Sequence, residues 1–110
     1  MTILGLKNNN QQIAAKVGKP IFINLESNPT TGYNWYRAGY EKLESQSDEI
    51  LSIKKVYRNS ETNLVGAPGV AEFTVTPNKP GSHALHLVYR RVFEPPSENN
   101  KRFTINLNVE

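Results

Sequence analysis

Apolar and polar residues alternate with a period of two along this chain, and that pattern limits the folds it can adopt. In PIFINLES, the residues Ile21, Ile23 and Leu25 fall on one face. RFTINLNVE repeats the pattern from Phe103 to Val109. Because successive side chains of a strand point to opposite faces, each segment predicts a strand with one buried face. No window shows a sustained helical period, so the sequence predicts an all-β protein.

The same pattern predicts seven short strands, near residues 12–17, 20–27, 33–37, 50–57, 70–76, 83–90 and 102–110. The chain has 110 residues, which is the length of one domain covering residues 1–110. Seven strands separated by turn signals indicate an immunoglobulin-like, seven-stranded antiparallel β-sandwich, although a small barrel would give a similar pattern. Trp35 is expected in the core, since such sandwiches bury a tryptophan on the third strand.

Composition excludes several classes of function. The chain has no cysteine, which removes disulfides, thiol nucleophiles and thiolate metal sites. A net charge of +3 is too mild for a dedicated nucleic-acid binder. His83 and His86 have opposite parity on one predicted strand and therefore point to opposite faces. No catalytic or metal-binding motif stands out, so we expect neither an enzyme nor a cofactor.

The first residues, MTILGLKNNNQQ, carry only a short apolar patch with no charged segment before it. That pattern is too short for a signal peptide or a membrane anchor. We therefore expect a cytoplasmic protein with no membrane partner, or a vesicular or secreted one if a leader has been removed.

Three connections have unusual compositions: the second contains NPTTG, the fourth ends in GAPG, and the sixth begins RVFEPP. If successive strands alternate in direction, these even-numbered connections all emerge at the same end of the sandwich. They would then form one contiguous surface.

The NPTTG segment is expected to be stiff. Pro29 fixes its own φ, Thr30 and Thr31 are restricted at χ1, and Gly32 permits a positive φ. Such a loop loses few conformations on binding, which lowers the entropic cost of association. On these local signals alone, a turn with no further role fits slightly better than a binding loop.

The other two connections leave similar alternatives open. Two glycines around a proline in GAPG allow a partner to approach the backbone closely, and they also describe an ordinary turn. Phe93 beside Arg90 and Arg91 has the composition of a binding hot spot. Phe93 could equally fold back to cap the core.

Taken together, the three motifs resemble the signature motifs of the chagasin family of cysteine-protease inhibitors, in the same order and at similar spacing. The resemblance extends from about Ile13 to the end of the chain. The residues that carry it are Asn28, Pro29, Thr30, Thr31, Gly32 and Tyr33 in the first motif, Gly66, Ala67, Pro68 and Gly69 in the second, and Arg91, Val92 and Phe93 in the third.

The resemblance implies an immunoglobulin-like sandwich that inhibits papain-like (clan CA) proteases of the cathepsin L or B type, reversibly and tightly. Such an inhibitor needs no second copy of itself, so we expect a monomer. In such an inhibitor the three loops fill the active-site cleft. Thr30 and Thr31 would approach the catalytic Cys and His of the enzyme, the second loop would lie along the cleft by main-chain contacts, and the aromatic residue of the third loop would pack on the far wall. The alternative function is a non-catalytic adhesion module that binds a glycan or a protein.

The chain departs from the family pattern at two places. Pro68 stands where the second motif usually has glycine, and Val92 and Phe93 replace the usual proline and tryptophan of the third motif. The first change removes an N–H and the second leaves a smaller aromatic anchor. We therefore expect the first loop to carry a larger share of the binding energy, and the selectivity among papain-like enzymes to differ from that of a typical member.

Overall fold

The computed structural model describes residues 3–28, 31–40, 46–58, 69–91, 93–95, 97–98 and 100–110. In these residues eight strands and one short 3-10 helix at Leu6–Asn8 follow each other along the chain. The strands are β1 (Ile3–Leu4), β2 (Gln11–Ala15), β3 (Ile21–Ser27), β4 (Asn34–Arg37), β5 (Leu51–Arg58), β6 (Gly69–Pro77), β7 (Gly81–Arg90) and β8 (Lys101–Val109).

The strands form two four-stranded sheets that pack face to face. One sheet has the order β1-β3-β6-β5 and the other has the order β2-β8-β7-β4. Alternate residues of each strand point into the space between the sheets, as the period of two predicts. Trp35 is 1% exposed and lies in this core together with Ile23, Leu25, Phe73, Leu85, Leu87, Phe103, Ile105 and Leu107. The predicted all-β, immunoglobulin-like sandwich is therefore confirmed.

Two details of the prediction were wrong: the count of seven strands and the wholly antiparallel pairing. Strand β1 is an eighth strand, and it pairs in parallel with β3. Strand β2 pairs in parallel with β8. A strand of two residues is too short to show alternation, although Leu4 is buried against the core. Strand direction is also invisible to the hydrophobic pattern, because parallel and antiparallel neighbours have the same period.

Strand β5 lies at the edge of its sheet, and one of its inward-facing residues is a lysine. Lys55 is opposite the buried Phe73 of β6, and burial lowers the pKa of its amine. An inward-pointing charge on an edge strand disfavours pairing with a strand from another molecule.

The connection after β4 is attached to the body of the sandwich by polar contacts. A terminal guanidinium nitrogen of Arg37 lies 2.9 Å from a carboxylate oxygen of Asp48. Burial by itself would raise the pKa of Asp48. The backbone N–H groups of Leu51 and Ile50 and the Arg37 side chain outweigh it, and the pKa is lowered. Arg37 is thus paired with a carboxylate that stays ionised.

The described residues contain no helix of the length and apolarity that crossing a membrane requires. Nor, among the same residues, do three or more His, Cys, Asp or Glu side chains come together where they could hold a metal ion.

Candidate functional site

The strand register brings six strand ends together at one end of the sandwich. Ser27, at the end of β3, pairs with Gly69 at the start of β6, and Arg58 of β5 pairs with the next residue of β6. In the other sheet, Arg90 at the end of β7 pairs with Asn34, the first residue of β4. The neighbouring residue of β7 pairs with Lys101, the first residue of β8. Loop 1 (residues 28–33), loop 2 (residues 59–68) and loop 3 (residues 91–100) all start from this end.

Not every residue of the three motifs can be placed. Asn28, Thr31, Gly32, Tyr33, Gly69, Arg91 and Phe93 are described. The remaining predicted site residues lie outside the described part of the chain: Pro29, Thr30, Gly66, Ala67, Pro68 and Val92.

Loop 1 is closed by hydrogen bonds from Thr31. Its backbone N–H donates to the carbonyl of Asn28 at 3.2 Å, and its Oγ1 donates to the same carbonyl at 2.7 Å. The same hydroxyl accepts a longer bond of 3.4 Å from the N–H of Tyr33. Between these residues Gly32 adopts φ 85°, a left-handed conformation that glycine reaches without steric cost. The threonine and the glycine therefore define the shape of the turn.

Tyr89 of β7 connects the start of loop 1, which follows β3, to the sheet that contains β4 and β7. Its hydroxyl accepts a hydrogen bond of 2.9 Å from the backbone N–H of Asn28. Its ring stacks on Tyr33 with 5.4 Å between centroids and lies 5.1 Å from Trp35. The indole N–H of Trp35 donates in turn to the carbonyl of Glu26 at 3.0 Å. A core tryptophan and a strand tyrosine thus hold both ends of loop 1.

Arg91 links loop 3 to loop 1. Its Nε donates to the carbonyl of Thr31 at 2.9 Å, and its guanidinium lies 4.6 Å from the centroid of the Tyr33 ring. A terminal nitrogen also pairs with Glu94 at 3.2 Å. Only about a third of the side chain is exposed. The guanidinium is therefore engaged by residues of its own chain and holds loops 1 and 3 in a fixed relation.

Phe93 is the prominent apolar residue of loop 3. It is 74% exposed, so it does not fold back to cap the core. A Cβ added at Gly32 would lie 3.6 Å from the Phe93 ring, so the ring sits directly beside loop 1. Thr31, Gly32 and Phe93 thus form one continuous patch at the end of the sandwich.

Gly69 represents the second motif in the described part of the chain. It is buried at the start of β6, and a Cβ at this position would overlap the carbonyl oxygen of Arg58 and lie 2.5 Å from the hydroxyl of Tyr57. The close approach of β5 and β6 where loop 2 begins and ends thus requires glycine. In the sequence, GAPG was equally compatible with a turn and with close approach to a partner.

Two residues that support the site lie outside the three predicted motifs. Tyr89 is described above, and the second is Arg90, which is 9% exposed. A terminal nitrogen of Arg90 donates to the carbonyls of Arg91 at 3.3 Å and of Glu94 at 3.1 Å. Its guanidinium lies 5.4 Å from the centroid of the Tyr36 ring. Neither residue belongs to a motif, and the alternation of β7 shows only which face each one occupies.

Removal of the Tyr89 hydroxyl tests the link between the start of loop 1 and the sheet that contains β7. We expect Tyr89→Phe to lower the free energy of unfolding by about 1 kcal/mol, because the N–H of Asn28 loses its acceptor while the aromatic stacking is kept. Urea denaturation measures this. Tyr40→Phe is the matched control, since no hydrogen bond of the Tyr40 hydroxyl is found among the described residues. Equal effects of the two substitutions would contradict the assignment.

Comparisons with known proteins agree with this geometry. The family model of the chagasin family peptidase inhibitor I42 matches residues 14–107. Over 99 residues the chain is 37% identical to chagasin of Trypanosoma cruzi. This match covers 90% of this chain and 89% of that protein.

Solved structures give the same result. Leishmania mexicana ICP is 41% identical with a TM-score of 0.72, and the match covers 93% of this chain and 90% of that one. EhICP2, a cysteine protease inhibitor from Entamoeba histolytica, shares the fold with a TM-score of 0.80 at 23% identity. That match covers 98% of this chain and 94% of the EhICP2 chain. The chain belongs to the chagasin family of peptidase inhibitors, a family of inhibitors and not of enzymes.

Proposed function

We propose that this chagasin-family protein inhibits papain-like cysteine proteases, of the cathepsin L or B type, through the loops at one end of its sandwich. The observation that supports this most directly is the patch of Thr31, Gly32 and Phe93. An exposed aromatic residue stands there beside a turn that is tied to both sheets. Exposed aromatic residues next to rigid backbone are typical of the centre of a tight interface.

The proposed contact surface comprises the residues of the three motifs: Asn28, Pro29, Thr30, Thr31, Gly32, Tyr33, Gly66, Ala67, Pro68, Gly69, Arg91, Val92 and Phe93. Loop 1 would enter the cleft and exclude substrate and water from the catalytic Cys and His. Phe93 would pack on the cleft wall. Arg91 and Tyr33 would contribute mainly by supporting loop 1. The Arg91 guanidinium stacks on the Tyr33 ring, and Arg91 donates a hydrogen bond to the carbonyl of Thr31.

The rigidity of loop 1 offers a reason why the protease does not cleave it. Peptide-bond cleavage requires the scissile carbonyl to reach a near-attack position against the thiolate. The carbonyl of Thr31 is held by Arg91 and the carbonyl of Asn28 by Thr31. Moving either carbonyl into the attack geometry would break these bonds, which raises the barrier to cleavage.

A steady-state assay with a fluorogenic peptide tests the function. Papain, cathepsin L and cathepsin B are titrated with the protein, and we expect reversible, sub-micromolar inhibition of at least one of them. Mass spectrometry of the recovered inhibitor checks the mechanism, and the chain should remain intact for many substrate turnover times. Absence of inhibition at micromolar concentration would reject the function, and cleavage at the rate of an ordinary substrate would reject the role of rigidity.

Two further proposals concern the state of the protein in the cell. We propose that it acts as a monomer, because a surface made of three loops of one chain needs no second copy, and size-exclusion chromatography with light scattering tests this. The cytoplasmic location stays a prediction from the sequence, and immunolocalisation of the untagged protein tests it.

A further inference from the structure

A groove with a volume of about 430 Å³ lies beside Phe93, on the outer face of the sheet that contains β4, β7 and β8. Side chains that line it include Tyr36, Arg37, Arg90, Phe93, Glu94 and Arg102. We call it the arginine groove. It adjoins the proposed contact surface, because Phe93 belongs to both.

The charges of the arginine groove are not balanced within the described part of the chain. Two of them are neutralised by close partners: Arg37 pairs with Asp48 at 2.9 Å, and Glu94 pairs with Arg91 at 3.2 Å. The charges of Arg90 and Arg102 remain, and no carboxylate lies within ion-pair distance of either one among the described residues.

Among the described residues, the hydrogen-bond acceptors of these two arginines are carbonyl oxygens. Arg90 donates to two backbone carbonyls of loop 3, and Arg102 donates from one terminal nitrogen to the carbonyl of Ser97 at 2.9 Å. Carbonyl oxygens satisfy N–H groups but carry no net charge. Arg102 is exposed and, unlike Arg90, is accessible to a partner.

A protein that covers Phe93 must also approach this groove. Removing a guanidinium from water without an opposite charge is costly, and the cost falls when a carboxylate pairs with it. The planar guanidinium group also favours a carboxylate over other acceptors, because the two can form paired hydrogen bonds. A tight partner is therefore expected to place an acidic side chain against Arg102.

We propose that the arginine groove is a specificity surface, which selects papain-like proteases that carry an Asp or Glu side chain on the cleft wall beside the Phe93 contact. This inference rests on the proposed function and deepens it. A protease with a neutral or basic side chain at that place would leave Arg102 unpaired, or repelled, and would be inhibited less strongly. Nucleic acid is a poorer fit, because two charges beside an exposed phenyl ring cannot follow a phosphate backbone.

The test compares Arg102→Gln with Lys19→Gln. Both substitutions remove one positive charge from an exposed position, and Lys19 lies between β2 and β3, at the opposite end of the sandwich. Inhibition constants and association rates are measured against papain, cathepsin L and cathepsin B at ~50 mM and ~300 mM salt, concentrations that bracket physiological screening. For the enzyme that the unchanged protein inhibits most strongly, Arg102→Gln should raise the inhibition constant by about tenfold or more.

Two further results are expected. The salt dependence of the association rate should be weaker for Arg102→Gln than for the unchanged protein, because less steering remains to be screened. Arg102→Lys should lie between the two, since it keeps the charge and loses the planar fork. Circular dichroism and thermal unfolding of each variant separate a loss of contact from a loss of fold, and the intermediate behaviour of Arg102→Lys provides a second criterion.

The outcomes distinguish the two proposals. If Arg102→Gln changes every measurable inhibition constant by less than about twofold, or no more than Lys19→Gln does, the specificity surface is rejected while the inhibitory function stands. If the unchanged protein inhibits none of the three enzymes, the proposed function is rejected and the inference falls with it.

Discussion

Replacing Gly69 with alanine is expected to lower the free energy of unfolding by about 3 kcal/mol or more. The added methyl group would overlap the carbonyl oxygen of Arg58 and lie 2.5 Å from the hydroxyl of Tyr57. The first of these atoms is backbone in a paired strand, so it cannot move without breaking the register of β5 and β6. Urea denaturation followed by tryptophan fluorescence measures the change, since the chain has one tryptophan, in the core.

Gly39→Ala provides the control, because the two glycines differ in what they require. Gly39 has φ 88°, and no heavy atom lies within 4 Å of an added Cβ. Its substitution should cost about 1 kcal/mol, from the left-handed backbone alone. A Gly69→Ala protein as stable as Gly39→Ala would show that the strands separate easily at the start of loop 2. The close approach of β5 and β6 would then not be a requirement of the fold.

Thr31→Ala is expected to weaken inhibition most among single substitutions in loops 1 and 3, by about 100-fold. The substitution removes the hydroxyl that donates to the carbonyl of Asn28 and accepts from the N–H of Tyr33. It also removes a side chain that, in the proposed complex, would enter the cleft. Phe93→Ala should cost about tenfold, because the phenyl ring is a smaller anchor than the tryptophan that the family usually carries. Inhibition constants against one sensitive protease provide the measurement.

Thr74→Ala is a suitable control for the threonine substitution. Thr74 lies on the outer face of β6, away from the strand ends that carry the loops. It should leave the inhibition constant unchanged. A larger loss for Phe93→Ala than for Thr31→Ala would show that the aromatic contact, and not loop 1, supplies most of the binding energy, against the expectation from the motif differences.

The sandwich could be predicted because the alternation of apolar and polar residues in each strand identifies its buried face. The alternation in β3 and β8 identifies which side chains lie between the sheets, and Trp35 is buried as expected. All seven predicted strands are present, with ends within two residues of those expected. Each of these features depends on local sequence alone.

The details of the site depend on contacts between distant residues, which no local pattern shows. Arg91 belongs to a predicted binding motif, yet its side chain is directed to the carbonyl of Thr31, 60 residues away along the chain. Tyr89 reaches the N–H of Asn28 across 61 residues. A sequence pattern reports the face of a strand on which a residue lies, but it does not report which loop from the opposite sheet meets that residue. The contacts that hold loop 1 therefore could not be predicted from the sequence.

The parallel pairing of β2 with β8 has a consequence for a protein that meets proteases. Strand β8 follows all the others in the chain, and it lies between β2 and β7, so the sheet that anchors loop 3 is complete only after β8 has docked. Pairing between such distant segments is slow to form. Until it forms, the same Thr31 and Phe93 belong to an open chain that a protease can cut. The newly made polypeptide is therefore open to digestion until it folds. Only the chains that fold before they are cut become inhibitors.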